Sequence, residues 1–299
     1  MESDMFRLNQ AMRSFGNSGK QSYNHLHKDR ISWDEMAQYD LTTSIDAVLK
    51  ETGQKSLYYV GHSQGTTILF ARSSEDQSLK TKVRKHFALC PVATFKHIKG
   101  LMALLSQSYP LWQSSTKRFG SREFLPSDLF TKIFASVVCP LPRLGSALCR
   151  GIMFSMAGPN TNQLNTTRVP VYLSHLPAGT SSQNMLHWFQ MVRSGKTQKY
   201  DFTNASKNLE QYGNITVPLY DLTKINIDTY LYWSDKDWLA TEKDIKEGLL
   251  PYLNANILKE NNVLEEFNHM DFIYGLRAAE KVYAPIIKII REDWKMNPQ

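Results

Sequence analysis

The residues with the clearest capacity for chemistry are the five from Gly61 to Gly65, Gly-His-Ser-Gln-Gly. A serine hydroxyl is a weak nucleophile until it is held in the open and paired with a base. Ser63 follows the apolar run Leu57-Tyr-Tyr-Val60 and precedes a helical stretch from about Gln64 to Arg72. That context predicts a strand, a sharp turn and a helix, with the hydroxyl lifted above the sheet edge. Side chains at positions 61 and 65 are expected to obstruct the turn, which accounts for both glycines. The backbone N–H of Gln64, at the start of the helix, is then expected to face the oxygen that gains negative charge in acyl transfer.

A nucleophilic serine needs a general base, and the base needs an orienting carboxylate, here in the chain order Ser, acid, His. The strand expected at Thr229-Tyr-Leu-Tyr-Trp233 runs into Ser234-Asp-Lys-Asp-Trp238. Asp235 and Asp237 both stand where the acid belongs, and both also suit a turn. His269 lies in Glu265-Glu-Phe-Asn-His-Met-Asp-Phe272, between the last strand and the last helix, and is the expected base. The other histidines fit less well. His62 is in the elbow with its side chain expected to point away from the reaction face. His86 lies at a strand start, and His25 and His27 precede the first helix. His97, His175 and His187 fall between the strands, lining a pocket or facing solvent. The cysteines lack zinc spacing, no His-x-x-x-His pair accompanies a glutamate, and no Gly-rich nucleotide loop occurs. Neither a metal nor a cofactor is expected.

These residues need a scaffold. Ser32 to Leu49 reads as a helix, capped by Ser32 with Glu35 completing a capping box. The strand at 57–60 follows, then the elbow helix, a polar helical stretch from Leu79 to Lys85, and a strand over His86-Phe-Ala-Leu-Cys-Pro91. This alternation predicts an α/β fold with a mostly parallel central sheet. From about Lys96 to Leu222 the pattern turns to helical pieces rich in Gly, Pro, Ser and Asn. That segment reads as a largely helical cap inserted above the sheet. The sheet resumes with the strand at 229–233, a helix from Asp244 to Leu253, an edge-proximal strand over 256–259, and a final helix over 276–293 that Pro285 kinks or splits. The expected organisation is therefore core over 1–95, cap over 96–222 and core again over 223–299.

Composition bounds the partners. The chain has 299 residues, 42% hydrophobic, with a formal net charge of +7. Without zinc-finger spacing, an RNP-like run or a dense basic arm, that charge gives no reason to expect nucleic acid. It suits weak attraction to anionic lipid or fatty-acid products. No apolar segment is long enough to span a bilayer, and residues 1–16 do not read as a signal peptide, so the chain as written is expected in the cytosol. Three Asn-x-Ser/Thr triplets point toward a secretory route instead, at Asn165, Asn204 and Asn214. Cys139 and Cys149 flank a short segment that either closes as a small disulfide loop or leaves two thiols, and Cys90 reads as a core thiol.

Longer stretches carry a resemblance. They include Asp34-Glu-Met-Ala-Gln-Tyr-Asp-Leu41, Tyr58-Tyr-Val-Gly-His-Ser-Gln-Gly-Thr-Thr67, Phe87-Ala-Leu-Cys-Pro-Val-Ala93, Glu123-Phe-Leu-Pro126, Pro177-Ala-Gly-Thr-Ser-Ser-Gln-Asn-Met-Leu-His-Trp188, Asp237-Trp-Leu-Ala240 and His269-Met-Asp-Phe-Ile-Tyr-Gly-Leu276. With them the chain resembles the acid lipase family, which includes gastric and lysosomal acid lipases. The resemblance implies the α/β-hydrolase fold with a cap and lid, and hydrolysis of neutral lipid esters (triacylglycerol or cholesteryl ester) at a lipid–water interface. It implies Ser63 as nucleophile, Asp237 rather than Asp235 as the acid, and His269 as base. It also implies a Cys139–Cys149 disulfide and a secreted or lysosomal glycoprotein. One departure stands out. The family's region before Phe15 holds a signal peptide, the first strands of the sheet and a His-Gly-Leu segment with a second oxyanion N–H, and it has no counterpart here. The expectation is a shortened lipase whose sheet lacks those strands, with a small-ester carboxylesterase and a non-catalytic lipid-binding protein as the other readings.

Overall fold

Four strands form one sheet in the computed structural model, which describes residues 31–119, 123–124, 144–173, 176 and 179–297. They are β1 (Leu57–His62), β2 (Val83–Leu89), β3 (Asp228–Trp233) and β4 (Leu258–Val263). They lie side by side in chain order, and every neighbouring pair is parallel. Parallel neighbours need crossovers, and helices supply them. The central strands β2 and β3 are buried almost throughout, with Phe87, Ala88 and Leu231 fully enclosed. Each large apolar side chain buried this way contributes about 1.5–3 kcal/mol relative to exposure.

Successive residues of β1 show why both faces are covered. Tyr58 and Tyr59 point to opposite sides, as strand geometry requires. The Tyr58 hydroxyl donates to Asp293 (2.6 Å) on the C-terminal helix, while the Tyr59 hydroxyl donates to the Gly65 carbonyl (2.9 Å) on the elbow helix. The first helix, α1, occupies 33–52 and includes a π-helical stretch at Met36–Asp40. The capping box is present: Ser32 and Glu35 bond reciprocally. The elbow helix α2 (Gln64–Glu75) packs beside α1, and their Leu41, Ile45 and Leu69 meet Leu79, Val83 and Ile227.

Between β2 and β3 lie α3 (Gly100–Gln107), α4 (Tyr109–Phe119), α5 (Leu144–Ala157), α6 (Ser182–Ser194) and α7 (Ala205–Tyr212). The two-residue strands Glu123–Phe124 and Thr180–Ser181 pair antiparallel outside the main sheet. After β3 come α8 (Glu242–Gly248) and the last helix α9 (Ala284–Met296), entered through a π stretch at Ala279–Tyr283.

Four boundaries differ from expectation. The polar stretch 79–85 is not a helix: a 3-10 turn covers Gln77–Thr81 and β2 already begins at Val83, because Leu79 and Val83 are both drawn into the core while the lysines between them stay out. β4 begins at Leu258 rather than at 256, since the Asn254 carbonyl still accepts from Ile257 and Leu258 in a turn. Glu242–Gly248 is helical, but residues 250–252 form a separate 3-10 turn with Pro251 in its first positions. The last helix begins near 278 rather than 276, and Pro285 stands where its π stretch (Ala279–Tyr283) passes into regular α-helix (Ala284–Met296).

Candidate active site

Ser63 stands between β1 and α2 with φ 54° and ψ −119°, outside the regions an L-residue favours. Serine at a helix N-cap ordinarily turns its hydroxyl onto the backbone, but here the side chain makes no capping bond. Its main chain is over-determined instead. Ser63 N–H donates to Leu89 O (3.0 Å) at the end of β2. The Ser63 carbonyl accepts from both the N–H (2.9 Å) and the hydroxyl (2.7 Å) of Thr66, and that same hydroxyl oxygen accepts from Val92 N–H (2.9 Å). Thr66 thus clamps the elbow to the segment after β2. Nothing in the short glycine pattern singles it out.

The two glycines are not equivalent. A Cβ at Gly61 would lie 2.9 Å from the Gly65 carbonyl carbon and 2.9 Å from the Tyr59 ring. One at Gly65 would meet only the Tyr59 hydroxyl, at 3.6 Å, an ordinary contact. Steric need therefore explains Gly61 and does not explain Gly65.

Asp237 lies just beyond β3 and His269 beyond β4, and both are buried. His269 Nδ1 is 2.8 Å from Asp237 Oδ2. The other carboxylate oxygen accepts from the N–H groups of Leu239 (2.8 Å) and Ala240 (2.9 Å). Burial pushes the Asp237 carboxyl upward, but the His269 charge and hydrogen bond and the two N–H donors outweigh it and hold it below the usual aspartate value. Asp235 plays no such part: it is half-buried and paired with Lys236 at 2.9 Å.

The loops carrying Asp237 and His269 are sewn together at the end of α5. The Ala157 carbonyl accepts from both Trp238 N–H (3.3 Å) and His269 N–H (3.2 Å). The next residue, Gly158, has φ +129°, and a Cβ there would lie 2.3 Å from the Lys236 carbonyl oxygen. Asn268 adds a local brace, its side-chain oxygen accepting from Met270 and Asp271 N–H.

Ser63 reaches this pair only indirectly. Among the described residues no hydrogen bond joins its hydroxyl to the His269 ring. The link is His62, whose Nε2 bonds to the His269 carbonyl at 2.9 Å and whose ring centre is 4.9 Å from that of His269. Far from turning away, His62 packs on the His269 ring. Burial, then the neighbouring His269 charge, lowers its pKa to about 4. Cys90, expected in the core, is fully buried there, takes φ 50° and directs Sγ at the same carbonyl (3.4 Å). Serine hydroxyl-to-imidazole bonds are commonly long without substrate.

The Gln64 N–H has no acceptor among the described residues, as the first N–H groups of a helix do not. Its side chain is tightly engaged. Oε1 accepts from Asn184 Nδ2 (2.9 Å) and Trp188 Nε1 (2.9 Å) of α6, and Nε2 donates to Met36 Sδ (3.3 Å) in the π stretch of α1. His187 neither lines a pocket nor faces solvent; it is buried, stacked on Trp33 at 4.3 Å, and burial lowers its pKa to about 3. His86 is likewise buried within β2 rather than at its start, against Tyr59 and Phe70. His97 pairs with Asp244 at 2.9 Å. His25, His27, His175 and Cys139 lie outside the described residues. Cys149 is buried in α5, while Asn204 and Asn214 are exposed and Asn165 is half-exposed.

A strained serine between a parallel strand and a helix, followed by an acid and a histidine at the ends of later strands, defines the α/β-hydrolase class. A family model described as alpha/beta hydrolase fold matches residues 12–276. The chain is 48% identical over 264 residues to Lipase lipl-1 of Caenorhabditis elegans, covering 88% of this chain and 65% of that protein. It is 44% identical to lipl-3 of the same organism, covering 93% and 72%, and 42% identical to human gastric triacylglycerol lipase, covering 89% and 65%. The chain belongs to the α/β-hydrolase family, in its branch of gastric- and lysosomal-type lipases. It spans about two thirds of the length of these relatives. A crystal structure from Sulfolobus solfataricus shares the fold at a TM-score of 0.57 and 13% identity, covering 89% of this chain and 67% of that one.

Proposed function

We propose that this chain hydrolyses carboxylic esters of neutral lipids through an acyl-enzyme on Ser63. The Ser63 hydroxyl attacks the ester carbonyl while His269 takes its proton. Asp237 fixes the ring through Nδ1 and stabilises the imidazolium. The oxyanion is met by the Gln64 N–H at the head of α2. His269 then returns the proton to the departing alcohol, and water repeats the sequence to release the acid. The observation that carries this reading is the buried His269–Asp237 pair (2.8 Å) beside a strained serine whose hydroxyl is not spent on capping.

The preference for lipid rests on the segment between β2 and β3, which we read as a cap over residues 96–222 on a core formed by 1–95 and 223–299. Leu104, Leu111, Leu148, Ile152 and Val171 of that segment are all exposed, an apolar display that suits a lipid–water interface. No helix among the described residues is long and apolar enough to cross a membrane. A Cys139–Cys149 disulfide, glycans at Asn165, Asn204 and Asn214, and a secreted or lysosomal destination complete the proposal. The test is hydrolysis of short- and long-chain p-nitrophenyl esters by the wild type and by Ser63→Ala. Faster turnover of long chains, lost in the variant, is the expected result. Equal rates for the two proteins refute the reading. Turnover of short chains alone moves it to a small-ester carboxylesterase.

A further inference from the structure

We propose that His62, Cys90 and His269 form a binding site for a thiophilic divalent ion of the zinc class, and that filling it withdraws His269 from Ser63. The binding is independent of the hydrolase reading; its inhibitory consequence rests on that reading.

The three residues come from three separate segments: the end of β1, the residue after β2 and the loop after β4. One nitrogen or sulfur atom from each lies within 4.8 Å of the others. Two of the donors now share one partner, His62 Nε2 (2.9 Å) and Cys90 Sγ (3.4 Å) both bonding to the His269 carbonyl oxygen, and a bound ion would draw them off it. One sulfur and two imidazole nitrogens form a donor set that suits zinc, whose fourth ligand would be water.

Zn–N near 2.0–2.1 Å and Zn–S near 2.3 Å set donor separations of about 3.3–3.6 Å in a tetrahedral site. From separations of up to 4.8 Å, the three atoms must therefore close by up to about 1.2–1.5 Å. That closure requires the His62 ring and the Cys90 thiol to turn off the shared carbonyl. On binding, the Cys90 thiol gives its proton to water and the sulfur pair enters the metal bond. Coordination disables the base through either ring nitrogen: at Nδ1 it replaces the Asp237 bond, and at Nε2 it takes the lone pair that receives the Ser63 proton. Spacing along the chain conceals the set, since the members stand at positions 62, 90 and 269 with no short metal motif.

The test uses the whole chain with Co2+ and Zn2+. Co2+ should produce a thiolate-to-cobalt charge-transfer band at one equivalent. Competition with a chromophoric chelator should show that Cys90→Ser and His62→Gln each weaken Zn2+ binding by more than about tenfold. Cys90→Ala serves as a second sulfur-free variant, and circular dichroism melting establishes which variants fold. Fluorophosphonate labelling of Ser63 should fall in step with Zn2+ occupancy in the wild type and return with a chelator. Absence of the cobalt band in the wild type overturns the proposal whatever the variants do. Equal Zn2+ affinity in the wild type and a folded sulfur-free variant also overturns it. A metal-free protein that takes no label, yet binds Co2+ through Cys90, refutes the hydrolase reading and leaves the site standing.

Discussion

Replacing Asp237 by asparagine separates orientation of the base from the integrity of the fold. The carboxylate makes two kinds of contact: one oxygen takes the Leu239 and Ala240 N–H groups, and the other takes His269 Nδ1. An asparagine carbonyl can keep the first pair. Its NH2 group then faces Nδ1, which must become an acceptor, so the ring proton moves to the nitrogen that should receive the Ser63 proton. Triads with this change lose about 10⁴ in turnover, which is roughly 5 kcal/mol at 1.36 kcal/mol per tenfold. The stability loss is smaller, about 1–2 kcal/mol, because a charge-assisted bond becomes a neutral one. The assay is kcat/KM on a soluble p-nitrophenyl ester beside a thermal melt. A loss below about tenfold in a protein that melts like the wild type would refute the assigned role of Asp237. Asp235→Asn, on the half-buried aspartate paired with Lys236, should leave kcat/KM unchanged.

Further outcomes follow from the same geometry. Gly61→Ala drives a Cβ into the Gly65 backbone and should cost about 1–3 kcal/mol and abolish labelling of Ser63, whereas Gly65→Ala meets only the Tyr59 hydroxyl and should label nearly normally. Thermal melts of the pair, with probe labelling, decide it. Trp188→Phe removes one of the two donors to Gln64 Oε1 and should lower kcat several-fold with little change in melting, since the Asn184 bond remains; an unchanged kcat would show that the Gln64 side chain does not steer its N–H. Burial lowers the pKa of His86 to about 3 from 6.5, so the unfolded state binds its proton first as pH falls. Its contribution to stability is full above pH 6.5 and is lost progressively as pH falls toward 3. His86→Phe should therefore flatten the pH dependence of urea unfolding in that window, and an unchanged slope would remove His86 as a source of acid sensitivity.

The chain revealed its chemistry better than its boundaries. Ser63 and His269 are read from the strands they follow, whereas strand order leaves Asp235 and Asp237 open and only the longer resemblance separates them. The 79–85 stretch misleads because Leu79 and Val83 stand four residues apart, a helical spacing, yet they reach the core from a 3-10 turn and a strand. That outcome depends on Val83 pairing with Leu57, a contact no local pattern contains. Thr66 escapes for the same reason, since its value lies in bridging Ser63 to Val92.

Gln64 shows how the elbow and the segment between β2 and β3 are tied. Its N–H lies beside Ser63, while its side chain is gripped by Asn184 and Trp188 of α6 and by Met36 of α1. Asn184 extends the tie, accepting Trp33 N–H at the head of α1 (2.8 Å). A backbone donor acts on a developing oxyanion only when it is held within a few tenths of an ångström, because displacement forfeits much of the roughly 3 kcal/mol at stake. The strained Ser63 fixes that donor from one side, and the amide of Gln64 fixes it from the other. Moving α6 therefore displaces the donor N–H without touching Asp237 or His269. Perturbations of α6 should appear in kcat, while the pH profile set by the Asp237–His269 pair stays in place.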